Sequence, residues 1–407
     1  MRILIVSEDL PAPILAGAGL HVILLANTLI EAGHHVEIVG RKRVRGAENN
    51  HGFLGRLHTT IDFAHTGWKE AASGVFNPLR RRHVAARVKS AVLDVTGPWD
   101  VIHYHGHHPE VGAVMPVDLN FVQTLHDQGS ECMTKARFRN GEPCTARAPE
   151  VCAGCATPFP NLVQTQISKN AVLAHRAAAR EAYTRHQGVF VSEFLERRCK
   201  EILQALKPLN THVVHNFIDY QKLSVCARGF VQNSNTGTAR PRVFMAGRID
   251  ETKGFRALFR ALKPEAFRSL QIRVAGEGSD AISLREEFGN RGIEFLGWQT
   301  YEVVIRETLN ASVAVVPSVW EEPCSTSVLE ALALGRVVMA LERGGTPELV
   351  KYAAAPGQLR LYKSSIELAE ALEQLALPIS EWPVQDLADV RRRLPELLAV
   401  YRNADSM

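Results

Sequence analysis

Short apolar runs rich in β-branched residues alternate with helix-patterned segments along most of this chain, and that alternation narrows the folds open to it. Ile3 to Val6, Val36 to Val39, Val101-Ile102-His103, Phe121 to Thr124, Val189 to Val191 and His212 to Val214 each read as a strand. Gly17-Ala18-Gly19 opens a helix whose Val22, Leu25, Ala26 and Leu29 fall near the helical period, with Gly33 placed to stop it. The Ala-rich stretch Lys169 to Tyr183 reads as another helix. Strands separated by helices pair in parallel, and helices then cover both faces of the sheet.

Around Cys226 to Arg240 the composition changes. Residues Gln232 to Pro241 are polar and rich in turn formers, which marks a linker or a long loop. A second series follows, with strands at Val243 to Ala246, Ile272 to Ala275, Ile293 to Leu296, Val313 to Val316 and Val337 to Leu341. A helix from Ser327 to Leu334 begins soon after Pro323, and Glu381 to Tyr401 reads as one further helix. There is no internal repeat. The expectation is two α/β domains.

The bulk numbers fit that expectation. At 407 residues, 46% hydrophobic and 22% charged, the chain has ordinary globular composition and length for two domains. No apolar run approaches the roughly 20 residues that span a bilayer. Glu8 and Asp9 end the first apolar run, and no small-residue cleavage site follows, so this segment reads as the first buried strand of a cytoplasmic protein. A net charge of +4 does not argue for nucleic acid. The clusters Arg41-Lys42-Arg43-Val44-Arg45 and Arg80-Arg81-Arg82-His83 read either as a solvated loop and helix end or as a patch for an anionic acceptor or membrane surface.

Chemistry concentrates in the second half. Gly247-Arg248 closes a strand, where open α/β sheets place ligand crevices, and Lys253-Gly254 opens the next helix, where backbone amides favour anions. Arg and Lys together suit a diphosphate. In Trp320-Glu321-Glu322-Pro323-Cys324-Ser325-Thr326-Ser327-Val328-Leu329-Glu330-Ala331, small hydroxyl residues suit a helix start, with the Ser325, Thr326 and Ser327 amides facing a phosphate. Glu330, set among apolar residues, needs a partner and can accept from both hydroxyls of a ribose. Glu322 precedes the helix, in the crevice.

Taken in order, Ala246-Gly247-Arg248, Lys253-Gly254, Gly276-Glu277-Gly278, Phe295-Leu296-Gly297, Val316-Pro317-Ser318, Glu322, Glu330-Ala331, Gly335 and Gly344-Gly345-Thr346-Pro347-Glu348 resemble the donor domain of a retaining glycosyltransferase of family 4. The first half is similar too, at Ala16-Gly17-Ala18-Gly19-Leu20-His21-Val22, Thr124-Leu125-His126-Asp127, Val191-Ser192-Glu193 and His215-Asn216-Phe217-Ile218-Asp219. The resemblance spans about residues 1 to 350. It implies the GT-B architecture, an α/β fold of two Rossmann-like domains with a cleft between them and a C-terminal helix crossing back. The expected division is an acceptor domain at 1–222 with a cysteine-bearing loop at 128–160, a linker at 223–240, a nucleotide-sugar domain at 241–378, and the returning helix at 379–407.

By the same resemblance, Arg248 and Lys253 bind the donor diphosphate and stabilise the departing nucleoside diphosphate, Glu330 holds the ribose, and Glu322 acts near the transferred sugar. Gly17 lets the first-domain loop approach the phosphates, His126 sits at the sugar, and Ser325, Thr326 and Ser327 complete the donor site. The implied partners are a nucleoside-diphosphate sugar and a sugar, lipid-linked or small-molecule acceptor, in surface polysaccharide, glycolipid or specialised-metabolite assembly. Nucleic acid is not among them; contact with a membrane surface through the basic clusters is. The chain has no Asp-x-Asp, which agrees with a transfer that requires no metal cofactor. It departs from the family pattern at Ala16, Phe217, Cys324, Ser325 and Arg336.

Two clusters stand apart. His103 and His105 alternate and share a face of a strand end, near His107, His108 and His126; these read as crevice-lining or structural residues, or as metal ligands. Cys132, Cys144, Cys152 and Cys155 follow His126-Asp127 and read as a structural zinc site, as redox-sensitive disulfides or as unligated thiols. The rival functions fit less well. A nicotinamide-dependent oxidoreductase lacks its third fingerprint glycine, where Val22 stands, and an acid ending the second strand. A zinc-loop nucleic-acid binder leaves both α/β domains without a purpose. An epimerase-like or phosphorylase enzyme of the same architecture does not account for Lys253 or needs a cofactor phosphate site.

Overall fold

The computed structural model describes residues 1–407 apart from 13–14, 16, 43–49, 64–72, 158, 206–207, 229–239, 378, 380 and 404–407. The chain divides into two compact units, one of Met1–Arg137, Thr145–His215 and Arg393–Met407, the other of Phe138–Cys144 and Asn216–Arg392.

The first unit contains strands β1 (Arg2–Ser7), β2 (His35–Arg41), β3 (Arg56–Ile61), β4 (Val101–His105) and β5 (Phe121–Leu125). A two-stranded antiparallel ribbon of β6 (Phe138–Arg139) and β7 (Glu142–Pro143) follows and groups with the second unit. Strands β8 (Gln187–Phe190) and β9 (Thr211–Val213) complete the first sheet. Its order is β3-β2-β1-β4-β5-β8-β9, parallel throughout. The central strands β1, β4, β5 and β8 are buried almost end to end; β1 reads as a continuous apolar run, while β4, β5 and β8 also bury the polar residues His103, His105, Gln123, Thr124 and Gln187. Leu4, Val6, Ile102 and Phe121 pack with Val84 and Val88 of the helix Arg80–Leu93.

The order of strands reverses between β1 and β4, so the segments that leave their C-terminal ends diverge and open a crevice there. Residues 8–9 and 106–108 lie at that edge, as do His126 and Asp127 after β5.

The second unit repeats the plan with β10 (Arg242–Ala246), β11 (Gln271–Ala275), β12 (Ile293–Gly297), β13 (Val313–Val316), β14 (Val337–Leu341) and β15 (Leu359–Tyr362), in the order β12-β11-β10-β13-β14-β15. Met245, Leu258, Phe259, Val274, Phe288, Met339 and Leu368 form its core. Here the reversal falls between β10 and β13. The segments after those strands carry Arg248 and Glu322, far apart in sequence and adjacent at one sheet edge.

Three segments differ from the sequence reading. Residues 223–228 of the expected linker belong to the helix Tyr220–Arg228, and 229–239 lie outside the described residues. The Ala-rich helix is longer, Leu162–Arg185, because Asn161 caps it in a reciprocal bond pair with Gln164. The helix expected from Glu381 begins at Val390. Pro383 has no N–H to donate, and neighbouring backbone groups are already committed, Trp382 N to Gly335 O at 3.1 Å and Gln385 N to Ala333 O at 2.9 Å. No described helix is long and apolar enough to cross a membrane.

Candidate functional site

In the second unit, the turn after β10 and the loop after β13 are stitched together by backbone. Thr252 O accepts from Val319 N at 3.0 Å and from Trp320 N at 3.2 Å. Gly254 makes this approach sterically feasible. Its φ is +72°, and a Cβ there would sit 1.9 Å from Pro317 O.

That seam brings Lys253 to Glu322. Lys253 Nζ donates to Glu322 Oε1 at 2.5 Å, Ser318 Oγ donates to the same oxygen at 2.7 Å, and the ammonium lies 5.4 Å from the Trp320 ring centroid. Glu322 is 6% exposed. Burial pushes its pKa up, but the Lys253 charge and the bonds from Lys253 and Ser318 outweigh that and hold it below the usual range. Glu322 is thus an anion that fixes the direction of a lysine which keeps two further donors.

Arg248 pairs with Asp250 through Nε while its side chain stays 65% exposed. Asp250 also caps the turn Glu251–Lys253 by accepting from Thr252 N. Burial raises its pKa, and the bonds from Thr252 and Arg248 more than reverse the effect. Asp250 was not singled out from the sequence, although an Asp two residues after Arg248 and before a tight turn is a recognisable cap.

The helix that the sequence placed at 327–334 spans Thr326–Ala333. Ser325, which departs from the family's glycine, has φ −73°, so the backbone there makes no demand for glycine. Its Oγ lies 3.0 Å from Ser327 Oγ, which leaves the amides of the first turn uncapped by a side chain. Glu330 has the partner its surroundings required. Burial lifts its pKa to about 7, against the opposing hydrogen bond from the Tyr301 hydroxyl and the charge of Lys222. Lys222 Nζ sits 4.8 Å from the Tyr301 ring centroid. No spacing rule links Tyr301 to Glu330. Cys324 is buried, which drives its thiol up to about 12, and its carbonyl accepts from Asn216 Nδ2 at 2.9 Å.

In the first unit, Gly17 is the exposed first residue of the helix Gly17–Glu31, and a Cβ there would meet nothing within 4 Å. Ala16 lies outside the described residues. His105 Nδ1 lies 3.0 Å from His126 Nε2, His105 Nε2 lies 3.3 Å from His103 Nδ1, and His103 Nε2 lies 2.7 Å from Thr124 Oγ1. The His21 ring packs edge-on against His126 with centroids 4.6 Å apart. Burial first, and neighbouring histidines second, push His21 and His105 well below the usual range and His103 to about 3, so these rings are neutral at pH 7. His107 goes the other way. Burial alone would lower it, but Asp127 at 2.7 Å and Asp9 at 3.9 Å lift it to about 10.

Among the described residues, the ligand atoms of His21, His105 and His126 lie within 4.8 Å of one another, and no such trio includes a cysteine. Cys132, Cys144 and Cys152 are half-buried and Cys155 is exposed. Arg176 Nη2 donates to Cys152 Sγ at 3.2 Å, and Cys132 Sγ lies 3.2 Å from Thr134 Oγ1.

Residues 240–377, nearly all of the second sheet and its helices, match the family model "Glycosyl transferases group 1". No curated protein matches the chain. Solved structures resemble it over its whole length. Sucrose-phosphate synthase from Thermosynechococcus elongatus is 17% identical with a TM-score of 0.67, covering 100% of this chain and 99% of the other. The fold is GT-B. HepE of Anabaena, solved in complex with UDP, is 14% identical with a TM-score of 0.62, covering 100% and 99%. WaaG, a glycosyltransferase involved in lipopolysaccharide biosynthesis, is 14% identical with a TM-score of 0.58, covering 100% and 96%. At these identities the likeness establishes the fold.

Proposed function

We propose that the chain is a glycosyltransferase that moves a sugar from a nucleoside diphosphate to an acceptor hydroxyl, with retention at the anomeric carbon and without a metal in the transfer step. The observation that carries this reading is the Lys253–Glu322 pair beside Arg248, set at the edge where the second sheet reverses, inside the region that matches group 1 glycosyl transferases. HepE, which shares the fold, has been solved with UDP-glucose as well as UDP.

In this reading Lys253 and Arg248 take the donor diphosphate, and their charges offset the negative charge that develops as the glycosidic C–O bond breaks. The electron pair leaves with the nucleoside diphosphate. The acceptor oxygen bonds to the anomeric carbon from the same face, and its proton passes to the departing phosphate oxygen. Glu330 accepts from the ribose hydroxyls, the amides of Ser325 to Ser327 line the phosphates and Glu322 lies at the sugar, while the family resemblance gives Gly17 and His126 of the first unit roles toward the phosphates and the sugar. Glu322 also positions Lys253, so Glu322→Gln should lower turnover about 10- to 100-fold and donor affinity much less.

Calorimetric titration of UDP, GDP, ADP and TDP, with NADH alongside, into the wild type and Lys253→Ala tests the assignment. One nucleoside diphosphate should bind and lose at least tenfold in affinity in the variant. Binding of NADH alone, or diphosphate affinity unchanged by the variant, would refute it. The anomeric configuration of the product, read by NMR, tests retention.

A further inference from the structure

Three histidines from three elements of the first unit converge on one point. His105 ends β4 and His126 follows β5. The two strands pair in parallel with His105 opposite Thr124, so alternation puts His103, His105 and Thr124 on one face of the sheet, and His126, two residues on, continues that face. His21 comes from the helix Gly17–Glu31, and its ring centroid lies 5.7 Å from that of His105 and 4.6 Å from that of His126. Each of the three offers one ring nitrogen within 4.8 Å of the other two. His105 is buried and the others are half-buried, which leaves the point within reach of solvent.

One N–H···N bond explains the 3.0 Å approach of His105 Nδ1 to His126 Nε2. A third ring nitrogen, brought to the same point by a separate helix, makes a donor set. Three imidazoles with an open fourth position are a known zinc arrangement, and nitrogens held at about 2.0–2.1 Å from one ion stand about 3.4 Å apart. The pair is therefore already near ligand spacing, and rotation of the His21 ring closes the remainder. The outer contacts fit as well, since a ligating imidazole donates from its other nitrogen. His105 Nε2 lies 3.3 Å from His103 Nδ1, and His103 Nε2 lies 2.7 Å from Thr124 Oγ1. A proton donated from His103 Nε2 to Thr124 leaves Nδ1 to accept from the Tyr401 hydroxyl at 2.6 Å and from His105 Nε2–H. That tautomer turns the His105 Nδ1 lone pair toward the shared point. An all-nitrogen set suits Zn²⁺, Co²⁺, Ni²⁺ or Cu²⁺ and disfavours Mg²⁺ and Ca²⁺, which take oxygen.

We propose that His21, His105 and His126 bind one divalent transition-metal ion, Zn²⁺ by preference, through one ring nitrogen each. The ion ties the helix Gly17–Glu31 to the ends of β4 and β5 and takes no part in the transfer step. All three ligands lie in the first unit, so its binding does not depend on a nucleotide in the second. Ligation through one nitrogen leaves the other nitrogen of His126 as an N–H donor. In that form the ring can still serve the role toward the sugar that the family resemblance implies.

The test is titration of the full chain, stripped with EDTA, with Co²⁺. Its visible absorption is strong in four-coordinate sites, and a near-ultraviolet thiolate band reports cysteine ligands. One Co²⁺ per chain should bind with the strong visible band and without the thiolate band, and Zn²⁺ should displace it and raise the melting temperature. His21→Gln and His126→Gln, both at half-buried positions, should each weaken binding at least about tenfold. The double variant Cys152→Ser, Cys155→Ser should bind as the wild type does. Melting of the metal-free variants checks that they fold, and the wild-type spectrum decides the ligand type even where one does not. A wild type that binds no Co²⁺, or binds it with only the weak six-coordinate spectrum, overturns the proposal. So does unchanged affinity in both folded histidine variants, or a thiolate band that the cysteine variant loses. UDP calorimetry on the metal-free chain reads the donor assignment separately, so its failure is not mistaken for failure of the ion site.

Discussion

A carboxylate that must be ionised to accept two ribose hydroxyls is sensitively placed when burial holds its pKa near 7, and Glu330 is so placed. On the proposed role, donor binding selects the ionised form. Affinity for the nucleoside diphosphate should therefore be level above about pH 8 and fall about tenfold per unit below pH 6. Glu330→Gln should bind more weakly and lose this dependence. Tyr301→Phe removes a hydrogen bond that favours the anion, so it should move the midpoint upward, by about one unit for a charge-assisted bond. Calorimetry from pH 5.5 to 8.5 checks all three. The carboxylate itself was legible in the sequence, because an acid between Leu329 and Ala331 is conspicuous. The phenol that answers it was not, since Tyr301 and Glu330 meet only through the packing of two helices. Arg81 shows the opposite failure. Three consecutive arginines look like a solvated helix end, and only the fold reveals that the middle one turns inward.

At the scale of elements, Gly254 and Gly17 serve different ends, and paired substitutions separate them. Gly254→Ala would press a methyl against Pro317 O from a left-handed backbone, so it should cost at least about 1–3 kcal/mol of stability and displace Lys253 with it. Gly17→Ala meets no atom of the chain within 4 Å and should leave the melting temperature nearly unchanged. Any loss of UDP affinity in that variant would then come from the approach of the nucleotide. Thermal melts paired with UDP titration distinguish the two, and a large drop in melting temperature for Gly17→Ala would contradict this account. Strands follow a similar logic. Those buried on both faces, such as β1 and β14, announce themselves as unbroken apolar runs. The edge strands β3 and β15 escaped notice because Arg56-Leu-His-Thr-Thr-Ile and Leu359-Arg-Leu-Tyr carry polar residues toward solvent, and the ribbon of β6 and β7 is too short to show any period.

At the scale of the molecule, the first unit is closed by residues from far along the chain. Tyr401, fully buried, meets His103 Nδ1 at 2.6 Å through its hydroxyl, and its carbonyl accepts from Asn120 Nδ2 at 2.8 Å. Leu397 and Val400 are buried beside it on the same helix. Tyr401→Phe should cost about 1 kcal/mol, the usual contribution of one buried hydrogen bond, while truncation after Arg392 should lower the melting of the first unit far more. Calorimetric scans with UDP, which on the proposed assignment stabilises the second unit selectively, would show whether the loss falls on the first unit as expected. The twofold α/β plan could be read from the alternation of patterns, whereas the return of the chain was legible only through the family resemblance, because nothing in an amphipathic helix names the surface it will cover.

That return has a consequence for synthesis. A ribosome delivers residues 1–215 early, but the segment that fills the space beside His103 emerges only after every residue of the second unit. The second unit can therefore complete itself while the first still waits for its final helix. During that interval the first unit exposes apolar surface that the finished protein hides, so chaperone demand should track the time taken to translate residues 216–392.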